Sequence, residues 1–349
     1  MPKQIAVDLA KSVYQVAESV RAGQVSLRRR LSREAFRRYI QEQAEPVEWL
    51  MEACGTAHYW GRFAQSQGHR VTLLHARYVK PYRRRNKTDR NDCDALLKAA
   101  RCAGIHPVPV KSHEQQQLQQ LHGLRETWKK SRTQRINLLR GIFREMGLEA
   151  PAATAAFLRA AHELVDCPEV VALRGQLQIV LAEINLYEQQ CMAECEQQLA
   201  RWHADDAIVG KLDEVSGIGV LTASALKTAD GQPERFASGR QLSAWLGMTP
   251  REFSSGNNCK LGHISRQGNV YVRTLLIHGA RAALLAAQRL HSRAPERLTR
   301  LQRWAVATAA RIGHNKAAVA LANKLVRICW AVWCHERRFS GDWQSSRPA

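Results

Sequence analysis

Short apolar runs alternate with amphipathic stretches over the first third of the chain. Four apolar runs predict strands, the first two as a hairpin: 5–9, 13–17, 47–53 and 71–75. Three amphipathic stretches predict helices: 33–44, 57–67 and 90–103. Strands that alternate with helices indicate an α/β layer domain. A linker is expected at 104–110, because two prolines interrupt helical structure there.

The pattern changes to helical periodicity between about residues 114 and 205. One apolar stripe runs through Leu118, Leu121, Trp128, Leu139 and Ile142. A second stripe occupies 171–202, and Gly147, Pro151 and Pro168 allow turns between the two. We expect two long antiparallel helices that can pair with another copy of the chain. An ordinary helical linker domain is the alternative.

The second stripe also bears on the cysteines. Its positions follow a three- and four-residue spacing: Leu177, Val180, Ile184, Tyr187, Cys191 and Trp202. This spacing predicts Cys191 on an apolar seam with Cys195 beside it. A zinc site that includes His203 is disfavoured, because neither a CxxC pair nor a second ligand pair is present. The nine scattered cysteines indicate reduced thiols in a cytoplasm.

Residues 206–340 predict a third, mostly helical unit. Gly217 and Gly219 lie between two helical patterns, as in a helix-hairpin-helix, whose turn amides can hold a DNA phosphate. A tight turn without a ligand is the alternative. The short polar segment from Phe339 onward is expected to be a disordered tail.

The charge balance indicates a polyanionic partner. Among 349 residues, 52 Lys and Arg face 31 Asp and Glu, which gives a net charge of +21. Nucleic acid is the leading candidate. An anionic membrane is the rival, but the sequence has no apolar run of spanning length and no signal peptide. We therefore expect a cytoplasmic, nucleoid-associated protein.

Four carboxylates occupy the positions of a possible metal site. Asp8 lies in an apolar run where a buried carboxylate needs a cation, and Glu52 ends another such run. Asp89 and Asp92 are three residues apart and share a face at a helix start. Such acids can converge on one or two Mg²⁺ ions. Helix capping and arginine pairing are the alternatives, and Asp94 is a spare acid that can replace a neighbour.

Two basic segments are candidates for nucleic-acid contact. Residues 75–89 interleave cations with two tyrosines, and the candidate contacts are Arg83, Arg84, Arg85 and Lys87. Residues 253–269 form a glycine-rich loop whose cations are Lys260, Arg266 and Arg273. A serine near these cations can attack a phosphate while they offset its charge. A solvated basic loop and an ordinary turn serine are the alternatives.

Several motifs together resemble those of the IS110-type insertion-sequence transposases. They are 5–11 (IAVDLAK), 51–56 (MEACGT), 86–92 (NKTDRND), 215–219 (VSGIG), 236–250, 255–256 and 264–268 (ISRQG). They occur in the family's order and span most of the chain. The family combines an RNase H-like, RuvC-like DEDD domain with a C-terminal transposase domain. Cys93 departs from the alanine that is common in the family.

The resemblance implies a mechanism and a set of partners. It implies that Asp8, Glu52, Asp89 and Asp92 are the DEDD set, with Ser255 as the nucleophile that forms a phosphoserine link to DNA. The adjacent Ser254 is the competing nucleophile. In the family, an element-encoded noncoding bridge RNA pairs with donor and target DNA. The resemblance further implies a working assembly that is a tetramer, a dimer of dimers, in which each active site combines two protomers.

The expected domain plan follows from the resemblance and the periodicity. It comprises a RuvC-like domain at 1–112, a dimerising coiled coil at 113–205, a transposase domain at 206–340 and a tail at 341–349. Two other functions compete with recombination. One is a metal-dependent nuclease that uses water and does not need Ser255. The other is a non-catalytic nucleic-acid binder, for which Asp8 is dispensable.

Overall fold

The computed structural model describes residues 3–21, 24–83, 88–204 and 206–342. The chain divides into two compact units, Met1–Gln116 and Gln117–Ala349. The first unit is an α/β layer structure, and the second consists mainly of helices.

The first unit is built on a five-stranded mixed sheet with the strand order β3-β2-β1-β4-β5. The strands are β1 Gln4–Leu9, β2 Val13–Ser19, β3 Leu27–Ser32, β4 Glu48–Glu52 and β5 Arg70–Leu74. The helices are α1 Arg33–Gln41, α2 Ala57–Ser66, α3 Ala76–Val79 and α4 Asp89–Ala99. The first three strands form an antiparallel meander, while β4 and β5 run parallel to β1. Parallel strands need crossover connections, and α1 and α2 lie in two of them.

Side chains of the sheet alternate between two apolar layers. On one face, Val7 packs with Trp49 and with the aromatic side chains of α1 and α2, where the Phe36 and Trp60 ring centroids are 4.8 Å apart. On the other face, Ala6 and Leu50 of β4 pack against α4. Residues two apart on a strand share a face, so this alternation fixes the direction of every polar side chain at the strand ends.

The structure confirms the four predicted strands and the three predicted helices of this unit. The edge strand β3 is an addition that the sequence pattern did not predict. Its sequence, LRRRLS, lacks the alternation of apolar and polar residues that marks a half-buried strand. The predicted linker lies against the sheet, since the Val108 amide donates to the Leu73 carbonyl at 2.7 Å.

The remaining chain is mainly helical. The first helices are α5 His113–Glu145, α6 Thr154–Leu164, α7 Arg174–Leu186 and α8 Ala193–His203, with a π-helical segment at Tyr187–Met192. The later helices are α9 Ala207–Asp213, α10 Val220–Ala229, α11 Gly239–Trp245, α12 Val270–Arg293, α13 Arg300–Ile312 and α14 His314–His335. A two-stranded hairpin, β6 Pro250–Glu252 and β7 Leu261–Ile264, is inserted between α11 and α12. Short 3₁₀ turns occur at Lys80–Tyr82, Pro168–Leu173, Pro233–Arg235 and Pro295–Arg297.

The long helix α5 runs antiparallel to α7 and α8. Arg125 pairs with Glu196 at 2.6 Å, and Arg132, further along α5, pairs with the earlier residue Glu188 at 2.9 Å. The prediction of two long antiparallel helices is therefore confirmed, with α6 as an additional short helix beside them. Pairing of this region with another copy stays a prediction.

The predicted seam along α7 and α8 is wrong in its second half. Cys195 is buried, with 6% of its surface exposed, whereas Cys191 is only half-buried and Trp202 is 41% exposed. The π-helical segment is the cause, because its wider turn shifts the phase of all later residues. Leu199 and His203 therefore take the buried positions.

The later helices pack around one apolar core. By length and composition alone, α12 and α14 could cross a membrane, but each contributes buried residues to this core. The expectation of a disordered tail from Phe339 is wrong at its start. Phe339 packs on the core, and Asp342 accepts a hydrogen bond of 2.7 Å from the Arg300 amide. Residues 343–349 lie outside the described residues.

Candidate active site

Two of the predicted acids lie side by side at the same end of the sheet. In the parallel pair β1–β4, Val7 is opposite Met51, and Asp8 and Glu52 are the next residues on their strands. Alternation places both acids on the face covered by α4, because the residues two positions earlier pack against that helix. The carboxyl ends of two parallel strands thus present two carboxylates to one helix.

The direction of α4 brings the other two acids to the same end. The Cys93 thiol, near the start of α4, donates to the Gln15 carbonyl at 3.2 Å, and Gln15 is opposite Asp8. Just beyond the end of α4, Arg101 donates to Ser19 at 2.9 Å, at the far end of the sheet. The helix therefore runs antiparallel to β1, and its first turn, with Asp89, lies towards Asp8.

Arginines hold the two inner acids of α4 on opposite sides. Asp92 forms an ion pair with Arg83, which follows β5, while Asp94 pairs at 2.7 Å with Arg28 of β3. Residues two apart on a helix point about 200° apart, which accounts for the separation. Asp94 is thus engaged at the β3 side of the helix. Nothing in the sequence alone marks Arg28 as its partner, because β3 has no apolar alternation.

The acids do not form a closed coordination cluster. Over the described ranges, no three His, Cys, Asp or Glu side chains lie together as a metal site would require. The donor type nevertheless fits a hard divalent cation, since all four candidates are carboxylates that the fold directs to one end of the sheet. Burial, with the nearby Asp8 and Asp94 charges adding to it, raises the pKa of Cys93 to about 12, so this residue stays a thiol.

The basic loop after β5 is only partly described. Arg83 is at its start and is the partner of Asp92. Arg84, Arg85 and Lys87 lie outside the described residues. Tyr78, on α3, is about half exposed, which leaves its ring accessible to a base.

The predicted nucleophile lies at the tip of the β6–β7 hairpin. The Ser255 amide donates to the Asn258 carbonyl and the Asn258 amide to the Ser255 carbonyl, each at 3.1 Å. Gly256 has φ +55°, and a glycine with positive φ at the first central position is typical of a type II′ turn. The residues 251–260 are all exposed, so the turn carries Ser255 into solvent.

The two adjacent serines differ in what their hydroxyls contact. The Ser254 hydroxyl accepts a hydrogen bond of 3.2 Å from the Lys260 amide across the hairpin. In the described part of the chain, the Ser255 hydroxyl has no such partner. Ser254 therefore helps to close the hairpin, while Ser255 has its hydroxyl available to a ligand.

The base of the hairpin is held rigidly. Arg273 of α12 is 7% exposed and donates to the carbonyls of Leu246, at 2.9 Å, and Gln267, at 3.1 Å. Burial lowers the pKa of Arg273, but its guanidinium remains a cation under ordinary conditions. A Cβ on Gly268 would lie 2.0 Å from the Trp245 carbonyl oxygen, so the two backbone segments meet without a side chain between them.

This base separates the predicted cations from the serine. Lys260 lies across the hairpin from the serine pair, but Arg266 and Arg273 belong to the base. An extended strand rises about 3.3 Å per residue, so six residues from Thr249 to Ser255 span up to roughly 20 Å. Arg266 and Arg273 thus start from the base of the hairpin, and their role beside the serine stays a prediction.

The two glycines of the predicted helix-hairpin-helix turn have different surroundings. Gly217 has φ +91° and packs on the backbone of α12, where an added Cβ would be 2.7 Å from the Gly279 carbonyl oxygen. Gly219 is exposed and is the N-cap residue of α10. Gly217 is thus required for helix packing, and Gly219 is the more exposed of the two glycines. Phosphate binding there stays a prediction.

Comparison with known proteins shows similarity over nearly the whole chain. Residues 5–147 match the DEDD transposase family model, and residues 210–295 match the transposase model of the IS116/IS110/IS902 family. A "Probable family 20 transposase" of Pseudomonas aeruginosa is 38% identical over 95% of this chain and 97% of its own length. The "Transposase for insertion sequence element IS1111A" of Coxiella burnetii is 34% identical over 97% of this chain and 91% of its own length.

Proposed function

The chain belongs to the IS116/IS110/IS902 family of insertion-sequence transposases, and from this premise we propose that it cuts and rejoins DNA through a phosphoserine intermediate on Ser255. Its DEDD domain implies a RuvC-like fold for the first unit, in agreement with the mixed sheet flanked by helices. The observation that carries the proposal is the exposed Ser255 hydroxyl on a hairpin with a rigid base.

The proposed step exchanges one phosphate ester for another. The Ser255 Oγ attacks the phosphorus of a DNA phosphodiester and forms an Oγ–phosphorus bond. The bond that breaks joins phosphorus to the 3′ oxygen of the neighbouring nucleotide. The serine proton passes to solvent, and the 3′ oxygen leaves as a hydroxyl. Because the phosphoserine keeps the energy of the broken ester, the 3′ hydroxyl of another strand can displace it and reseal the DNA without ATP.

Ser255 is preferred over Ser254 because of their hydrogen bonds. A nucleophilic hydroxyl has to approach phosphorus, and the Ser254 hydroxyl is tied to the Lys260 amide at 3.2 Å. The backbone of Ser255 is fixed by its two hydrogen bonds to Asn258, while its hydroxyl points into an exposed tip. Lys260, across the hairpin, is the cation that we assign to the attacked phosphate.

The DEDD domain indicates a divalent metal, and we propose Asp8, Glu52, Asp89 and Asp92 as its ligands. We take the metal to be Mg²⁺, which prefers carboxylate and phosphate oxygens. When bound, it offsets the negative charge that develops on the phosphate. Asp94 is left out of this set because it lies at the β3 side of α4, about 200° around the helix from Asp92. Arg83, beside Asp92, is a cation for the DNA backbone, and we assign the same role to Arg84, Arg85 and Lys87.

We further propose that an element-encoded noncoding RNA selects the DNA by base pairing. The net charge of +21 supports a large nucleic-acid surface, and pairing would leave the protein to bind backbone and shape. The proposed assembly is a tetramer whose active sites combine the first unit of one protomer with the serine hairpin of another. Three exposed apolar side chains of the helical region support a dimer contact: Leu138, Val171 and Ile179.

The domain plan is proposed on the same basis. A RuvC-like domain occupies 1–112, a coiled coil 113–205 and the transposase domain 206–340. The first compact unit ends at Gln116, close to the proposed boundary at residue 112, and this supports the first boundary.

A gel assay for covalent adducts tests the proposed step. The protein, purified with the RNA that it retains, is incubated with Mg²⁺ and labelled DNA that carries the ends of the element. We expect a labelled protein band that survives denaturation and falls at least about 100-fold in Ser255→Ala, because the nucleophile is lost. Ser254→Ala, the matched control, should keep the band within about tenfold of wild type. An undiminished band in Ser255→Ala contradicts the assignment, and cleavage without any adduct favours water as the nucleophile.

Sequencing of the retained RNA tests the guidance. A discrete RNA that maps beside the coding region is expected. Random cellular RNA would contradict guidance without affecting the serine assignment.

A further inference from the structure

The register of the sheet places an arginine in line with the acids. In the antiparallel ladders, Asp8 of β1 is opposite Gln15 of β2, and Gln15 is opposite Arg30 of β3. Residues opposite each other in a ladder point to the same face. Asp8, Gln15 and Arg30 therefore form one row across the sheet, and Glu52 continues it on β4.

Neighbouring residues on β3 establish which way the Arg30 side chain points. Arg28 lies on the α4 face, where it pairs with Asp94 at 2.7 Å. Arg29 lies on the opposite face, where its guanidinium carbon is 5.3 Å from the centroid of the Tyr39 ring. By alternation, Arg30 shares the α4 face with Arg28, and this is the face that carries the acids.

Arg30 differs from Arg28 and Arg83 because it has no acidic partner. Arg28 and Arg83 are both paired with aspartates of the helix. Arg30 is exposed, and no carboxylate lies within ion-pair distance of it among the described residues. Two strand spacings separate its backbone from that of Asp8, a distance of about 10 Å. An exposed guanidinium at this range from a group of acids is placed to attract an anion that the acids alone repel.

We propose that Arg30, with the Gln15 side chain beside it, is a binding subsite for a backbone phosphate of the DNA at the acidic end of the sheet. A guanidinium presents a planar fork of donors that matches phosphate oxygens. The Gln15 amide is half-buried in the same row and can donate to the same group. The subsite positions DNA for the proposed recombination and thus rests on the proposed function. Charges on edge strands also serve to block pairing with other sheets, but that role does not distinguish Arg30 from Arg29.

A double-mutant cycle on DNA binding tests the subsite without using catalysis. The full-length protein is titrated against a labelled duplex of about 20 base pairs at low salt in EDTA. Arg30→Ala should weaken binding on the order of tenfold, and Asp8→Asn should tighten it. The Kd of the double variant should differ on the order of threefold from the value expected if the two substitutions acted independently, because both groups face one phosphate. Arg29→Ala is the matched control, and its effect should be independent of Asp8→Asn.

Two outcomes would overturn the subsite. One is that Arg29→Ala and Arg30→Ala weaken binding equally, and the other is that the effects of Asp8→Asn and Arg30→Ala are independent. Adduct formation by Arg30→Lys should exceed that by Arg30→Ala several-fold, because the charge is kept. If the wild-type protein forms no adduct at all, the proposed function is contradicted. The binding measurements still test the subsite in that case, because they do not depend on catalysis.

Discussion

At the scale of single residues, neighbouring positions of similar chemistry receive different roles from their hydrogen bonds. Ser254 and Ser255 have the same side-chain chemistry, as do Asp92 and Asp94, and only the family resemblance favours Ser255 and Asp92. In the structure, Ser254 closes a hairpin and Asp94 is held by an arginine of the edge strand. Residue type locates each pair, whereas the contacts that separate their members come from Lys260, six residues after Ser254, and from Arg28, far from Asp94 along the chain.

Stability at acidic pH reports on a buried histidine of the second unit. His122 is hydrogen-bonded at 3.1 Å to both Tyr271 and Ser224, and burial, aided by His203 and Arg125, lowers its pKa to about 4. The unfolded chain, with a pKa near 6.5, binds this proton more readily. The contribution of neutral His122 to the free energy of unfolding is therefore complete above pH 6.5, and it is lost as the pH falls towards 4.

Between pH 7.5 and pH 5, the free energy of unfolding should fall by about 2 kcal/mol because of this residue. Urea denaturation of wild type and His122→Gln at the two pH values measures it. The wild type should lose about 2 kcal/mol more stability than the variant on acidification. Equal losses would show that His122 is not kept neutral by the fold.

At the scale of secondary-structure elements, apolar periodicity predicted the structure well wherever one face is buried. The four strands and three helices predicted for the first unit are present, and so is the antiparallel helical pair. The pattern failed at β3, an edge strand rich in arginine, and at the π-helical segment, which shifts the phase of α8. Pairing with β2 decides the structure of β3, and apolar spacing alone does not predict where a helix widens into a π-helical turn.

The rigidity of the serine hairpin rests on close backbone contact at its base. An alanine at Gly268 combines φ +85° with a Cβ only 2.0 Å from the Trp245 carbonyl oxygen. We expect Gly268→Ala to lower the free energy of unfolding by about 3 kcal/mol or more, because steric overlap adds to the strain of the left-handed conformation. Gly256→Ala has the same sign of φ but nothing within 4 Å, so it should cost about 1 kcal/mol.

Thermal denaturation of the two variants measures this difference. For a unit of this size, 1 kcal/mol corresponds to a Tm change of about 2–4 °C. Gly268→Ala should therefore lower the Tm by at least about twice as much as Gly256→Ala. Similar Tm values would mean that the base of the hairpin tolerates movement and is not rigid.

At the scale of the whole molecule, charge and family membership together indicate the partner. A net charge of +21 predicts a polyanion, and the transposase family identifies DNA as one such partner. The sequence motifs lead to the acids and to the serine, which lie in different compact units. In the proposed assembly, how those parts meet depends on other copies of the chain, and no periodicity in one chain encodes that.

Mixing two inactive variants tests an active site shared between protomers. Ser255→Ala keeps the acids, and Asp8→Asn keeps the serine. In a shared site, a mixed assembly regains some intact sites, so co-expression should restore recombination to a sizeable fraction of wild type, while each variant alone stays inactive. No recovery on mixing, with both variants folded and assembled, would show that each protomer uses its own acids and serine.

The most direct measurement of the central claim is the location of the DNA on the protein. Trypsin should release the peptide 252–260, EFSSGNNCK, because Arg251 precedes it and Lys260 ends it. After the adduct is digested with nuclease and trypsin, fragmentation mass spectrometry identifies the residue that retains a nucleotide phosphate. The account predicts the phosphate on Ser255. A phosphate on Ser254, on a residue outside this peptide, or on no residue of a cleavage-competent protein would contradict it.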